Sequence, residues 1–117
     1  MVGLVFGLTM MFSLGAAVAA EETIKLGIMY AMTGKGSALG TKQMDSAKLA
    51  IKEINAAGGA DFGGKRVMID AIYQDTETKP DVAVRKMKSM IKDNGITALV
   101  GGTFAHVSLA MNAQTKR

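Results

Sequence analysis

The sequence predicts an α/β fold, a parallel sheet with alternating helices, on three observations. Three short apolar runs have strand character, the segments after them carry apolar residues at helical spacing, and the connections are short. Alternation of this kind implies parallel strands joined by right-handed crossovers.

The first strand is expected at Ile24–Tyr30, where apolar residues alternate loosely. The second, Val67–Tyr73, places Val67, Ile69, Ala71 and Tyr73 on one side. The third, Thr97–Val100, is wholly apolar after Thr97, as a buried parallel strand would be. From about Gly40 to Ala57, Met44, Ala47, Ile51 and Ile54 recur at three- and four-residue steps and form one helical face. Gly58-Gly59 stops that helix, because glycine enters the left-handed cap at little cost. The next helix opens at Pro80, whose missing N–H would be unpaired in a first turn anyway, and runs to Asn94-Gly95. Ala83, Met87, Met90 and Ile91 form its apolar stripe; a third helix starts at about Ala105. Met44, Met87 and Met90 sit at core spacing, which suits flexible packing side chains. Three strands leave two open sheet edges, so the elements read as half of a larger α/β unit.

The segment Met1–Ala20 is expected to be a cleaved secretory signal peptide. Val2–Ala20 holds no charge, ends on Gly15-Ala16-Ala17-Val18-Ala19-Ala20, and is followed at once by Glu21-Glu22. An apolar core, a small-residue end and an abrupt polar start mark a peptidase site. Gly3, Gly7, Thr9, Ser13 and Gly15 dilute it as a membrane anchor, and no Lys or Arg flanks it. Residues 21–117 then form the mature part, expected in the periplasm or the medium.

The chain has no cysteine, which excludes disulfides, thiol catalysis, Cys-ligated zinc and a lipid-modified N-terminal Cys. Its net charge of +4 comes from Lys and Arg interleaved with Asp and Glu, with few aromatics, an ordinary solvated surface rather than a nucleic-acid footprint. The lone histidine has no nucleophile at a triad-like spacing, and Asp70 and Asp75 fall on opposite faces of a strand. No enzyme chemistry, metal or cofactor is expected.

The loop Gly34-Lys35-Gly36-Ser37-Ala38-Leu39-Gly40 follows a strand and opens a helix, as a nucleotide loop does. Its G-x-G-x-x-x-G spacing departs from the dinucleotide fingerprint, Ala31-Met32-Thr33 lengthen the turn, and Asp75 lies well beyond the roughly 20 residues at which the ribose-binding acid belongs. A nucleotide-dependent α/β enzyme is therefore the alternative reading of this loop.

Several spaced motifs together resemble a known family. They are Ile54-Asn55-Ala56-Ala57-Gly58-Gly59, Gly63-Gly64-Lys65 before a strand, and Asp75 followed by Pro80 and Ala83; Ala31-Met32-Thr33-Gly34 with Gly40, and Val100-Gly101-Gly102, complete the set. They resemble the type I periplasmic ligand-binding proteins, in particular the leucine/isoleucine/valine-binding branch that serves ABC importers. The resemblance covers residues 23–117 and implies the first half of the N-terminal lobe of a two-lobed domain. It implies capture of a branched-chain or related amino acid, or a small carboxylate, and delivery to a membrane permease. A chain holding only this half is also expected, as a third reading, to be a gene fragment without activity of its own.

In open α/β sheets, ligands bind beyond the carboxyl ends of strands where strand order reverses. With the three predicted strands in the order 2-1-3, that crevice lies between Ala31–Gly40 and Gly101–Ser108. The candidate ligand-binding residues are Ser37, Leu39, Thr103, Phe104, Ala105 and His106. In the family, the loop after the third strand offers a hydroxyl and backbone N–H groups to a carboxylate, a task that suits a helix N-terminus. The family's serine there falls at Ala105, which has no hydroxyl, so either Thr103 or Ser108 substitutes or the ligand differs; the family's first-loop aromatic falls at Leu39. Phe104 is read either as a ligand contact or as packing, and His106 either as an acid-ligand contact or as a surface or capping residue. Ser37 also suits a turn. Asn55, Asp75 and Pro80 are read as structural.

Overall fold

The computed structural model describes residues 22–115; the expected signal segment lies outside them. Strand β1 (Glu22–Tyr30) leads through a 3₁₀ turn at Gly34–Gly36 into α1 (Ser37–Ala56). A short strand β2 (Ala60–Phe62) turns back into β3 (Lys65–Asp75), followed by α2 (Pro80–Ser89), β4 (Ala98–Gly101) and α3 (Ala105–Thr115). The sheet order is β2-β3-β1-β4, with β1 parallel to both neighbours. The three strands expected from sequence thus stand in the anticipated order, with the first in the centre.

Register sorts the side chains between two layers. Gly27, Ile72 and Leu99 are level across the sheet, and a Cβ at Gly27 would run into Met90, Ile96 and Leu99, so this row faces α2. The core on that side joins Met29, Ala83, Met87, Met90, Val107 and Met111 from β1, α2 with the turn that follows it, and α3. Ile28, Tyr73 and Val100 form the opposite row. There the α1 residue Lys48 lies 5.4 Å from the centre of the Tyr73 ring. Asn55 fastens the end of α1 to β3, its amide donating to the Ile69 carbonyl at 2.8 Å and accepting the Ile69 N–H at 2.9 Å.

Four expectations change. Strand β2 went unforeseen, because three residues offer too little alternation to register. It pairs antiparallel with β3 around Gly63-Gly64, whose φ angles of 65° and 87° fit a two-residue hairpin turn that side-chain-bearing residues adopt only under strain. The second helix is α-helical only to Ser89. It then widens into a π-turn over Met90–Asn94 before left-handed Gly95, which keeps Met90 buried and leaves Ile91 49% exposed, outside the expected stripe. In α1 only Gly40 and Met44 are fully buried, with Ala47, Ile51 and Ile54 half-buried. Finally, β4 is an edge strand among the described residues, with Val100 44% exposed, rather than a buried one. Among those residues no helix is long and apolar enough to cross a membrane.

The methionine packing makes a clear prediction. Met90→Ala should lower unfolding free energy by about 2–5 kcal/mol through lost burial and the cavity left behind. Ile91→Ala should cost less than about 1 kcal/mol. Urea denaturation followed by circular dichroism compares the two.

Candidate functional site

Parallel pairing brings the ends of β1, β3 and β4 level: Tyr30 lies beside Asp75, and Met29 beside Gly101. Three loops therefore leave the sheet at one end, residues 31–36, 76–79 and 102–104. Their first hydrogen bonds extend the ladder, from the Thr76 N–H to the Tyr30 carbonyl at 3.0 Å and from the Gly102 N–H to the Met29 carbonyl at 2.8 Å.

Loops one and three are then tied directly. The Ala31 N–H donates to the Thr103 hydroxyl oxygen at 3.0 Å, and Thr103 holds a φ of 26°, an unusual value for a β-branched residue. Phe104 packs so tightly over Gly36 that a Cβ there would overlap its ring. The Phe104 carbonyl accepts the N–H groups of Val107 and Ser108 at 3.1 and 3.0 Å, which opens α3. His106 stacks on the Phe104 ring at 5.9 Å between centres and 22° between planes, and is itself exposed.

Of the six residues singled out from sequence, Ser37 and Leu39 thus stand in the first turn of α1, with Leu39 49% exposed. Thr103 and Phe104 are half-buried in the β4–α3 loop, and Ala105 and His106 are exposed on the first turn of α3. Adjacent strands and the Ala31–Thr103 and Gly36–Phe104 contacts bring the two groups to one end of the sheet. Phe104 spends at least part of its surface on loop packing. Ser108 turns inward instead, its hydroxyl donating to the carbonyls of Gly102 and Phe104, both at 3.2 Å, so its proton is engaged. Thr103 differs: among the described residues its hydroxyl accepts from Ala31 but donates to no partner.

The end of β3 and the loop to α2 carry Asp75, read from sequence as structural, and Thr78, which the sequence left unmarked. Asp75 Oδ1 accepts the N–H groups of Met32, Thr33 and Glu77 at 2.7, 3.2 and 2.8 Å, and Oδ2 accepts the Thr33 hydroxyl at 2.6 Å. Thr78 accepts the Gly36 N–H and donates to the Thr33 carbonyl, both at 3.0 Å. Partial burial of Asp75 works to raise its pKa. The hydrogen bonds from the Thr33 hydroxyl and from the backbone of Glu77, Met32 and Thr33 outweigh that and hold it below its ordinary 3.8.

These contacts also account for the glycines of the supposed nucleotide loop. At Gly34 a Cβ would meet the Glu77 carbonyl, at Gly36 the Phe104 ring, and at Gly40, inside α1, the Ala31 carbonyl. The Gly36 N–H is already taken by Thr78. Close packing of the loops thus accounts for all three glycines. Among the described residues no group of His, Asp and Glu side chains is placed to hold a metal ion. An open groove of about 570 Å³ runs elsewhere, between α2 and α3, past Pro80, Val84, Ala110 and Ala113.

This architecture is that of the periplasmic binding proteins. A sequence profile for the family described as "Periplasmic binding protein" matches residues 23–117, and the chain belongs to that family. Its structure is similar to the branched-chain amino acid transporter substrate binding protein LivJ of Streptococcus pneumoniae, solved in complex with isoleucine. The two share 32% identity and a TM-score of 0.70, over 79% of this chain and 25% of that one. A substrate binding protein of an ABC transporter from Aeropyrum pernix gives 27% identity and a TM-score of 0.72, over 80% and 24% of the two chains. A solute binding protein of an ABC transporter from Rhodopseudomonas palustris, solved with 3,4-dihydroxy benzoic acid, gives 26% and 0.65 over 80% and 24%. The chain therefore spans about a quarter of the length of these relatives.

Two outcomes follow from the loop ties. Thr103→Val leaves the Ala31 N–H without an acceptor and should cost about 1–3 kcal/mol, whereas Thr103→Ser should be close to neutral; thermal unfolding separates them. The stabilisation from Asp75 is fully present above its ordinary pKa of 3.8 and is lost as pH falls through the lowered folded value. An acid titration followed by NMR at the Thr33 and Glu77 amides should show a midpoint below 3.8.

Proposed function

We propose that residues 21–117 form part of the N-terminal lobe of an extracytoplasmic solute-binding protein of an ABC importer, with 1–20 as its cleaved signal peptide. The ligand is a branched-chain or related amino acid or a small carboxylate, delivered in the periplasm to a membrane permease. One observation carries the reading. The loops after β1 and β4 are tied together beyond the strand ends, where strand order reverses, with the start of α3 among them.

The ligands named for two of the similar proteins, isoleucine and 3,4-dihydroxy benzoic acid, share a carboxylate and little else. That is the group a helix N-terminus favours, because its first N–H groups lack intrahelical acceptors and the dipole there is positive. In this chain the exposed first turn at Ala105 and His106 offers those amides. Thr103 offers a hydroxyl proton in place of the serine that Ala105 replaces. Leu39, half-exposed at the start of α1, supplies apolar surface for the rest of the solute. Capture is by lobe closure: the ligand shifts the population toward the closed form by touching both lobes, so one lobe alone holds it weakly.

NMR titration of the chain tests this. Isoleucine and 3,4-dihydroxybenzoate, at millimolar concentration, should move the amides of Thr103–His106 and Gly36–Leu39 and few others. No thermal shift should accompany the weak binding. NAD should move none of these amides; saturable NAD binding at the Gly34–Gly40 loop, with no response to either carboxylate, would instead establish the nucleotide reading.

A further inference from the structure

We infer that Asp75 and Thr78 are positioning residues of the ligand crevice: from the end of β3 and the loop after it they set the path of residues 31–36, one of its two walls. The inference rests on the placement of the crevice proposed above, and deepens it.

Residues 31–33 have no regular secondary structure, and Gly34–Gly36 form a single 3₁₀ turn, so little within the segment defines its course. Its amides are held from outside. Ala31 donates to Thr103, Met32 and Thr33 to Asp75, and Gly36 to Thr78. The Thr33 side chain and carbonyl are bound to the same two residues. Asp75 and Thr78 thus supply most of the bonds that hold this wall and lie on neither ligand-facing loop.

The turn that presents Thr78 is itself constrained. Glu77 and Thr78 have φ of 54° and 60°, two successive left-handed residues that are not glycine, which is a costly arrangement. It is secured from α2. Lys86 Nζ donates to the Asp75 carbonyl at 2.8 Å and lies 3.4 Å from the Glu77 carboxylate. Thr76, fully buried, accepts the Lys79 N–H at 2.9 Å through its carbonyl. A strained turn fixed from α2 and directed at a loop with little regular structure of its own has the form of a preorganised support. Because α1 follows directly, the same bonds set where Ser37 and Leu39 stand.

Amide hydrogen exchange of the chain, read by NMR, decides the point without any ligand. Asp75→Ala should speed exchange at Met32, Thr33 and Glu77 by about tenfold or more, the effect of losing bonds to a charged acceptor. Gly27–Met29, held in the sheet, should be unchanged. Asp75→Asn, which keeps an acceptor oxygen and the side chain's shape, should restore much of the protection. If Asp75→Ala does not fold, Thr78→Val against Thr78→Ser gives the same decision at Gly36, with protection lost in the first and kept in the second. Unchanged exchange at Met32, Thr33 and Gly36, or equal acceleration along all of β1, would overturn the inference. Isoleucine is then titrated into the wild-type chain and Thr78→Val. Weaker ligand-induced shifts at Ser37–Leu39 in the variant support the link to the crevice, and identical responses in both refute it. No response in the wild type counts against the crevice reading, while the exchange data still decide whether Asp75 and Thr78 hold the loop.

Discussion

Parallel pairing of β1 with a strand on each side is the constraint on which the rest of the structure depends. It makes β1 the central strand of the described sheet and brings the carboxyl ends of three strands level. A shift of one residue in either pairing would turn Met29 out of its core and Ile28 into it. It would also separate Tyr30 from Asp75, and with them the loops that meet beyond. The methionine-rich core beneath α2 and α3 keeps that register, since Met29, Met87, Met90 and Met111 are almost completely buried together.

Above the sheet, close approach of backbone takes over from apolar burial. The glycines at 34, 36 and 40 sit where a side chain would strike the Glu77 carbonyl, the Phe104 ring and the Ala31 carbonyl. A pattern that resembles a phosphate cradle in one dimension is thus a set of clearances in three. The space so opened is filled by Asp75, Thr78, Thr103 and Phe104, which connect loops far apart in sequence. The resulting end of the sheet is polar in its fixings and exposed at Leu39, Ala105 and His106, as the proposed solute-binding reading requires.

Much of this was legible in the residues. The strand at Ile24–Tyr30, the glycines that end α1, Pro80 at the start of α2 and the start of α3 near Ala105 each carry a local signal, either apolar period or backbone chemistry, and each stands in the structure. What escaped had no such signal. Strand β2 is three residues long and owes its pairing to the turn beyond it. The exposure of Ile91 follows from a π-turn that alters the helical period, and that of Val100 from the place of β4 in the sheet. At the site, Asp75 was recognised as structural, but three of the four hydrogen bonds its carboxylate accepts depend on where β1 ends, and Thr78 has nothing in its neighbours to mark it out.

By itself the sequence determined the class of fold, the order of the main elements and the two stretches of chain that flank the candidate crevice. These rest on periodicity, turn chemistry and spaced motifs, which are properties of near neighbours along the chain. Only the tertiary structure decided which of Thr103 and Ser108 keeps a hydroxyl proton free among the described residues, that Phe104 covers Gly36, and that Asp75 and Thr78 hold the first loop from the end of β3 and the loop after it. The physical reason is one of range. Hydrogen bonds and steric clearances in the loops join residues separated by some forty to seventy positions, and their partners exist only once β1 lies between β3 and β4.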